Sequence, residues 1–324
     1  MQHSSQNRTA VIIPVYRAHY LAECLESVFA QTMPPDEVVV IDDGSPDGAV
    51  IDKAITRYGK RLTLLRQPNL GAGAARNRGI RAVDADLIAF LDADDVWSPH
   101  LLEHQVRLLR ERSDRVLVYA NGHLIGDGPL RGLLFMDTAP SEGEPTLEAL
   151  LTQRCTVLTS SVVVRRDALL AAGLFDEALR RGQDFDLWVR LAAAGARFGY
   201  TVEPLVSRRI HGLNLSGDRV AELERAAAVL DQLRTKINFT PAEGRALDTR
   251  LRRLRGEIHA ERGKRDLAAG AVMDAAGHFR QAAGAGAGWK VQMVTVALRI
   301  APRVTRHAYV LRTRRASAAA PRTA

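Results

Sequence analysis

Three carboxylates stand within four positions in the first third of the chain, namely Asp92, Asp94 and Asp95. Residues 87–91 before them are apolar and predict a short buried strand. Carboxylates crowded at the end of a buried strand repel one another and lose hydration, so a positive partner is expected. A divalent cation such as Mg²⁺ or Mn²⁺ meets this need, because it prefers oxygen ligands and shares its shell with phosphates. The alternative is a strand that ends in a solvated acidic turn.

A glycine-rich segment before this strand carries groups suited to a phosphate. Gly71 and Gly73 permit a close backbone approach, and a helix from Ala74 would point free N–H groups at an anion. Arg76 and Arg78 add positive charge. The pattern is neither G-x-G-x-x-G after the first strand nor a Walker A loop, which argues against a dinucleotide fold and an NTPase. A plain turn without a ligand is the alternative.

The elements that must position these residues alternate between strands and helices. Three apolar runs predict buried strands, at residues 10–16, 37–41 and 62–65. Two segments with helical spacing lie between them, at residues 19–31 and 49–58. This alternation predicts an α/β fold with a parallel sheet. Because ligands of such sheets lie beyond the carboxyl ends of the strands, we expect Tyr16, Asp42 and Asp43 to meet the acidic cluster in one crevice.

Further elements follow the acidic cluster. Helices are predicted at residues 100–112 and 166–172 and from Gly182, and strands at 116–119 and 159–164. Residues 121–154, interrupted by glycine and proline, are expected to form loops at the surface.

Composition excludes several classes of protein. The 46% hydrophobic content of the 324 residues is typical of a globular protein with a substantial core. The first ten residues contain no apolar run, so no secretory signal is predicted, and no stretch is long enough for a membrane-spanning helix. Cys24 and Cys155 are far apart in sequence and give no disulfide framework or metal cluster. We therefore expect a cytoplasmic protein, with peripheral attachment at the inner face of the membrane as a possibility.

Basic charge is concentrated in the C-terminal third. Residues 218–324 contain 21 Lys+Arg and 10 Asp+Glu, hence 21 − 10 = +11, whereas the remainder carries 24 − 27 = −3. Such a surplus favours an anionic membrane, a nucleic acid or an acidic partner, or it is only a solvated helical face. No aromatic interleaving supports nucleic-acid binding, so none is predicted.

A smaller all-α region is predicted over residues 216–312. Its helices are expected at 218–236, 240–262, 264–284 and 288–312, with Pro302 kinking or dividing the last. Residues 291–315 are basic and amphipathic, with Val291, Val294 and Leu298 among the apolar positions. This segment is expected either to lie on an anionic membrane surface or to pack onto the first domain. Residues 1–8 and 313–324 are expected to be disordered.

Four motifs carry a resemblance to a known family: Val11-Ile-Ile-Pro-Val-Tyr16, Val40-Ile-Asp-Asp-Gly-Ser45, Asn69-x-Gly-x-x-x-Ala75-Arg-Asn-x-Gly79 and Leu91-Asp-Ala-Asp-Asp95. In their order and spacing, residues 9–215 resemble the family 2 glycosyltransferases. The resemblance implies the GT-A fold, a nucleotide-binding α/β/α sandwich with a mostly parallel sheet. It also implies that a sugar passes, with inversion, from a nucleotide-diphosphate sugar, most commonly UDP-linked, to an acceptor hydroxyl.

The resemblance implies a donor site whose parts are spread along the chain. Residues expected at the nucleotide are Pro14, Val15, Tyr16, Asp43, Arg76 and Asp92. Asp94 is the implied ligand of Mg²⁺ or Mn²⁺, with His211 at the metal or the diphosphate. Other residues expected around the diphosphate are Ala93, Asp95 and Arg209. Asp43 could instead cap its Asp-Gly-Ser turn, and a lone His such as His211 could be purely structural.

Gln183-Asp184 matches the Glu-Asp pair of the family, in which the second residue is the general base. Gln183 departs from the family pattern and removes one negative charge. The alternative for Asp184 is a residue at a helix start that the helix dipole favours. Asp186 is expected to cap the helix or to pair with Arg190, four residues on.

The implied reaction is a single displacement. Asp184 would take the proton of the acceptor hydroxyl, and a cation held by Asp94 would polarise the diphosphate. A hydrolase with paired carboxylates competes with this interpretation, but the phosphate-type helix start at Gly71 argues against it. A non-catalytic binder of nucleotide-sugars or glycans, with helices that recruit partners, is the second hypothesis. The expected partners are a nucleotide-sugar donor and a glycan or lipid-linked acceptor.

Overall fold

The computed structural model describes residues 7–211 and 218–319, with side chains described as far as residue 311. Residues 1–6 and 320–324, which belong to the termini expected to be disordered, lie outside the described residues, as do residues 212–217 at the predicted domain boundary. The chain divides into two compact units, Met1–Leu215 and Ser216–Ala324.

The first unit is built on one mixed sheet. Its eight strands are β1 (Thr9–Val15), β2 (Glu37–Asp43), β3 (Thr63–Gln67), β4 (Leu87–Phe90), β5 (Val96–Trp97), β6 (Arg115–Gly126), β7 (Val163–Arg165) and β8 (Arg197–Ile210). Their order across the sheet is β3-β2-β1-β4-β7-β6-β8-β5. The strands β1 to β4 run parallel, whereas β7 is antiparallel to both of its neighbours. The predicted α/β fold is confirmed.

Eight helices accompany this sheet within the described part of the first unit. They are α1 (Leu21–Phe29), α2 (Gly48–Ile55), α3 (Ala72–Ala82), α4 (Leu101–Glu111), α5 (Phe135–Thr138), α6 (Leu147–Leu151), α7 (Arg166–Ala171) and α8 (Gln183–Ala193). The apolar sides of α1 and α4 pack against β1 and β4 in the main hydrophobic cluster. Burial of these apolar faces is the main favourable contribution to the free energy of folding.

Strand order explains why the first strands end together. β1 pairs with β2 and β4 in parallel register, with Val15 beside Asp42 and Ile12 beside Phe90. The carboxyl ends of all three strands therefore open at one edge of the sheet. Residues that follow these ends, including the acidic turn, are brought to that edge.

Two predicted elements differ from the structure. Residues 159–161 form a 3₁₀ turn, and the strand after it covers only Val163–Arg165. The hydroxyl of Ser161 bonds the carbonyls of Leu158 and Ala120, an alternative to ladder pairing that small hydroxyl residues favour. Strand β6 is longer than predicted and continues to Gly126, so the expected loop region is shorter than 121–154.

The described part of the second unit is helical throughout. Its helices are α9 (Arg219–Lys236), α10 (Pro241–Ala269), α11 (Val272–Gly284), α12 (Trp289–Ile300) and α13 (Pro302–Ala319). Residues 313–319, expected to be disordered, lie in α13. Pro302 does divide the last predicted helix.

The predicted helix break near residue 263 is wrong. Gly263 lies inside α10, where a Cβ would stand 2.9 Å from the ring of Phe279. The missing side chain therefore lets α10 and α11 approach closely. The helix ends instead at Gly270, whose φ of 90° belongs to the left-handed region that favours glycine at a C-cap.

Candidate active site

The acidic turn lies where β4 ends. The N–H of Asp95 donates to the Asp92 carbonyl over 3.0 Å and closes the turn. The side chains of Asp92 and Asp94 are partly exposed, whereas Asp95 is buried. The turn therefore presents two carboxylates outward and keeps the third inside the protein.

Asp95 links this turn to β8. One carboxylate oxygen accepts the Arg209 backbone N–H over 2.8 Å. Burial raises the pKa of Asp95 well above its ordinary value, and the negative charges of Asp94 and then Asp92 raise it further. Asp95 is therefore a buried residue that connects the acidic turn to β8. Ala93 is also buried, in the main hydrophobic cluster.

His211, at the end of β8, meets the acidic turn. Its Nε2 lies 3.0 Å from Asp94 Oδ2, although 117 positions separate the two residues. Among the described residues, His211 Nδ1 is buried and has no hydrogen-bond partner. Buried polar atoms in folded proteins normally have a partner, so this ring nitrogen is an atom that a ligand or water would satisfy.

These two residues suit a divalent cation. One carboxylate oxygen and one imidazole nitrogen form a donor set that Mn²⁺ and Mg²⁺ accept when phosphate oxygens complete the shell. Within the described ranges, no group of three or more His, Cys, Asp or Glu residues has the arrangement of a metal site. Protein ligands alone would therefore form an incomplete shell, which fits a site that also needs substrate oxygens.

Arg209 ties three elements together. Its Nε donates to the Asp94 carbonyl over 3.1 Å, and one terminal nitrogen donates to Glu23 over 2.6 Å. The guanidinium also lies 4.1 Å from the centre of the Tyr20 ring. This set of contacts connects α1, the acidic turn and β8. The Arg209 guanidinium is thus engaged by protein groups next to Asp94.

Asp184 lies at the start of α8 and is hydrogen-bonded to the 3₁₀ turn of residues 159–161, which we call the hydroxyl turn. Thr159 Oγ1 donates to Asp184 Oδ2 over 3.0 Å, and the Phe185 N–H donates to the other oxygen over 2.8 Å. The next residue of the turn, Ser160, accepts the Asp92 N–H on its hydroxyl over 3.2 Å. Asp184, through its carboxylate, and Asp92, through its backbone N–H, are thus connected by adjacent residues of one three-residue turn.

The hydroxyl turn itself is rigidly held. The indole N–H of Trp97 donates to the Ser160 carbonyl over 2.6 Å, and the Ala120 N–H donates to the Ser161 hydroxyl over 2.9 Å. All three residues of the turn are buried. Reasoning from sequence missed this turn as part of the site. Its signal was present as three consecutive hydroxyl residues, a sequence that favours local side chain-to-backbone bonds over a strand.

Arg76 is buried beneath the acidic turn. Its guanidinium donates to Asp92 and lies 5.5 Å from the centre of the Phe175 ring. Arg76 Nε is also buried and has no partner among the described residues. Arg76 therefore pairs with Asp92 and places a positive charge next to the acidic turn.

Asp43 organises the glycine-rich segment. One oxygen accepts from Gln67 Nε2 over 2.8 Å and from the Leu70 N–H over 2.9 Å, and the other accepts from the Gly71 N–H over 2.8 Å. Gly71 has a φ of 96° and directly precedes α3. The carboxylate therefore fixes the entry to α3. Asp42 accepts the Ser45 N–H over 2.8 Å, the bond expected of a capped Asp-Gly-Ser turn.

The end of β1 contributes one exposed side chain. Tyr16 is about half exposed, and Pro14 is partly buried. Val15 belongs to the main hydrophobic cluster, so only its backbone groups could meet a ligand. Gln183 is buried against Gly73, and its Oε1 has no partner among the residues that the structure describes. Asp186 pairs with Arg190 over 2.7 Å, as predicted.

Comparison with known proteins identifies the family. The family model described as glycosyl transferase family 2 matches residues 10–169. An uncharacterized glycosyltransferase of Rickettsia typhi is 30% identical over 230 residues, which cover 68% of this chain and 69% of that protein. The chain belongs to glycosyltransferase family 2. The resemblance seen in the four motifs is confirmed, and this glycosyltransferase carries the motifs at the sheet edge described above.

A second relative is named for polysaccharide synthesis. The amylovoran biosynthesis glycosyltransferase AmsB of Erwinia amylovora is 31% identical over 208 residues, covering 61% of this chain and 68% of that protein. Other relatives are longer, and the chain spans 34% of an uncharacterized glycosyltransferase of Rickettsia felis.

Solved structures agree with the GT-A fold of this glycosyltransferase. TarS 1–349 of S. aureus, in complex with UDP-GlcNAc, matches with a TM-score of 0.59 and 16% identity over 95% of this chain and 92% of that chain. The mannosyltransferase PcManGT of Pyrobaculum calidifontis, in complex with GDP-Man and Mn²⁺, matches with a TM-score of 0.61 and 18% identity over 95% and 86%.

Proposed function

We propose that this glycosyltransferase moves a sugar, with inversion, from a nucleotide-diphosphate sugar to an acceptor hydroxyl in the synthesis of a cell-surface polysaccharide or glycan. The observation that carries the proposal is the hydroxyl turn, residues 159–161. One of its residues holds the Asp184 carboxylate, and the next holds the backbone of Asp92. A base and a donor-binding turn that share one rigid support are the arrangement that a direct displacement requires.

The donor nucleotide would bind at the edge where β1, β2 and β4 end. Tyr16 offers an exposed ring to the base and ribose, with Pro14 and the backbone of Val15 beside it. Asp43 would act at the base, either directly or by fixing the segment from Gln67 to Gly71 that it now holds. Asp92, oriented by Arg76, would meet the ribose.

Relatives support the class of donor. TarS is described in complex with UDP-GlcNAc and PcManGT in complex with GDP-Man, so both structural relatives take nucleotide-diphosphate sugars. We propose a UDP-linked sugar here, the commonest donor of the family. AmsB is named for amylovoran biosynthesis, which supports a polysaccharide or a lipid-linked precursor as the acceptor. We also propose that the enzyme works at the cytoplasmic face of the membrane.

Asp94 and His211 are the residues that would hold Mg²⁺ or Mn²⁺, with Arg209 and Asp95 keeping them in place. The mannosyltransferase PcManGT is described with Mn²⁺ bound, which supports this choice. When bound, the cation would neutralise the charge that develops on the departing diphosphate.

Asp184 would act as the general base. Its carboxylate accepts the proton of the acceptor hydroxyl while the hydroxyl oxygen forms a bond to the anomeric carbon. The bond between that carbon and the diphosphate oxygen breaks in the same displacement, and its electron pair leaves with the nucleotide diphosphate. Attack from the face opposite the leaving group inverts the anomeric centre, and no enzyme nucleophile takes part. Thr159 keeps the Asp184 carboxylate in position throughout.

A panel of nucleotide-sugars with Mn²⁺ or Mg²⁺, assayed by release of nucleotide diphosphate, tests the proposal. We expect Asp184→Asn to lower turnover by about 10²- to 10⁴-fold while calorimetric donor affinity stays within about twofold. Asp167→Asn, which alters an exposed carboxylate on α7, should change neither quantity. If Asp184→Asn left turnover unchanged, the base assignment would be wrong. If the wild-type protein bound donor without any turnover, the non-catalytic binder would be the correct hypothesis.

A further inference from the structure

Helix α12, within the second unit, is apolar on two opposite sides. Val291, Val294 and Leu298 pack inward, where Leu298 joins Phe279 and Leu267 in the small hydrophobic cluster of this unit. These three residues are among the apolar positions of the segment 291–315 that the sequence offered for a membrane. Leu298 is buried, and Val291 and Val294 are half-buried against the same cluster. A membrane would therefore have to meet a different face of the helix.

The opposite side of α12 carries a line of large exposed apolar residues. Exposed fractions are 65% for Trp289, 62% for Met293, 56% for Val296 and 77% for Ile300. Their spacing of four, three and four residues places them within an arc of about 60° at 100° per residue. We call these four residues the α12 stripe. Isolated exposed apolar residues are ordinary, but a continuous line along one helix is typical of an interaction surface.

Basic residues border the α12 stripe, and α12 itself contains no acidic residue. Lys290 and Arg299 are exposed, and each lies about 90° from the centre line of the α12 stripe, on opposite sides of it. Residues 275–324 contain nine Lys+Arg and no Asp or Glu. An apolar line with cations on both flanks is complementary to a layer of anionic headgroups above acyl chains.

We infer that the α12 stripe is the membrane-docking surface of this protein, and that it binds anionic lipid bilayers with α12 lying in the plane of the interface. Trp289, Met293 and Ile300 enter the region between headgroups and acyl chains, and Lys290 and Arg299 contact the phosphates. The inference concerns binding alone and does not depend on the transfer reaction proposed above.

A bilayer fits this surface better than a buried protein interface does. The described residues contain no helix that is both long and apolar enough to cross a membrane. The stripe is narrow, one helix wide, and the charge beside it is of one sign. Two copies that paired through this face would bring the cations of both copies together, at an electrostatic cost.

Trp289 provides a natural reporter. The other two tryptophans, Trp97 and Trp188, are buried in the first unit at 3% and 2% exposure, so only Trp289 can change its solvent contact on docking. Addition of vesicles made of equal parts phosphatidylcholine and phosphatidylglycerol should shift the emission of the full-length protein to shorter wavelength. Vesicles with brominated acyl chains should quench it. Neither effect should occur with phosphatidylcholine alone, and Trp289→Phe should remove the signal.

Vesicle flotation with variants tests the surface itself. We expect Met293→Gln/Ile300→Gln to lower the vesicle partition coefficient at least about tenfold. Lys290→Gln/Arg299→Gln should weaken binding to anionic vesicles by about five- to thirtyfold at low salt. The matched control Arg252→Gln/Arg253→Gln removes two exposed charges from α10, and Val202→Gln removes an equally exposed apolar side chain from β8. Both controls should bind like the wild type.

Circular dichroism of each variant would first establish that the helices are intact. Two results would overturn the inference. One is an absence of binding to anionic vesicles by the wild-type protein. The other is a dimer on gel filtration that Met293→Gln/Ile300→Gln converts to a monomer, with vesicle binding unchanged, which would assign the stripe to self-association.

Discussion

Thr159 donates a hydrogen bond to Asp184 over 3.0 Å, and Ser160 accepts one from the Asp92 backbone over 3.2 Å. Neighbouring residues of a single turn therefore bond the carboxylate of the proposed base and the backbone of Asp92, a proposed donor-binding residue. The turn is buried and bonded to Trp97 and Ala120, so it has little freedom to move. If Asp184 and Asp92 act as proposed, backbone and hydroxyl groups that do not themselves react set the spacing between the base and the donor.

Removal of the Thr159 hydroxyl should impair turnover selectively. Thr159→Val keeps the shape of the side chain but leaves Asp184 with one hydrogen bond fewer. We expect kcat to fall by about ten- to a hundredfold while KM for the donor changes less than about threefold. Thr159→Ser, which keeps the hydroxyl, should retain most of the activity. Thr152→Val, an exposed hydroxyl at the end of α6, is the control. Unchanged kcat in Thr159→Val would show that Asp184 needs no such support.

Replacement of His211 should weaken the response to metal. We expect treatment with EDTA to abolish turnover and Mn²⁺ or Mg²⁺ to restore it. In His211→Gln, the Mn²⁺ concentration for half-maximal rate should rise by at least about tenfold, because one of the two proposed protein ligands is lost. His123→Gln, an exposed histidine on β6, should respond like the wild type. Full activity in EDTA would contradict the assignment of Asp94 and His211 to a cation.

A methyl group at Gly263 should destabilise the second unit. The added Cβ would stand 2.9 Å from the Phe279 ring, so α10 and α11 would have to separate. We expect Gly263→Ala to lower the free energy of unfolding by about 1–3 kcal/mol. Gly244→Ala, in the same helix with open space around the added atom, should instead raise it by up to about 1 kcal/mol. Urea unfolding followed by circular dichroism measures both. Equal effects from the two variants would mean that helix propensity, not packing, decides.

The pair His259 and His278 should make the second unit sensitive to acid. Their Nδ1 atoms lie 3.2 Å apart, and His278 Nε2 lies 3.6 Å from Asp266. Burial lowers the pKa of His259 below its usual value, with the charges of His278 and then Arg262 acting in the same direction. His259 therefore binds a proton more tightly in the unfolded chain than in the folded protein. The stabilisation is complete above about pH 6.5 and is lost as pH falls below it.

Thermal unfolding at about pH 7.5 and about pH 5.5 checks this expectation, since the interval spans the titration of histidine. The melting temperature of the wild-type protein should be lower at about pH 5.5 than at about pH 7.5. The decrease should be smaller in His259→Gln, which cannot take up the proton. His307→Gln, an exposed histidine on α13, serves as the control. An identical fall in wild type and His259→Gln would assign the acid sensitivity to other groups.

The fold was predictable because its information is local. Apolar runs such as the one in β1 and helical spacing such as that in α4 are read from a few neighbouring residues. Their alternation limits the topology to a parallel sheet with helices on its faces. The motifs at strand ends then placed the chain in its family. The strand predicted at 159–164 was wrong over its first half, because hydroxyl side chains bond the backbone there in place of a neighbouring strand.

Periodicity alone could not choose between the two sides of α12. Val291, Val294 and Leu298 form one apolar face, and the α12 stripe forms the other. A helix that is apolar on both sides satisfies the same helical pattern whichever side is buried. Only packing against α11 in the folded unit decided which face is exposed. For the same reason, Gly263 resembled a helix break until its neighbour Phe279 was known.

The sequence by itself determined most of the strands and helices, the family and the residue types available for chemistry. The tertiary structure alone decided which of those residues meet. Asp94 and His211 are 117 positions apart, and Arg209 reaches Glu23 across 186. Contacts at such separations depend on strand order and on the path of each connection, which no local pattern records. The physical reason is that each residue type has its own side-chain chemistry, whereas the distance between two side chains depends on how the whole chain packs.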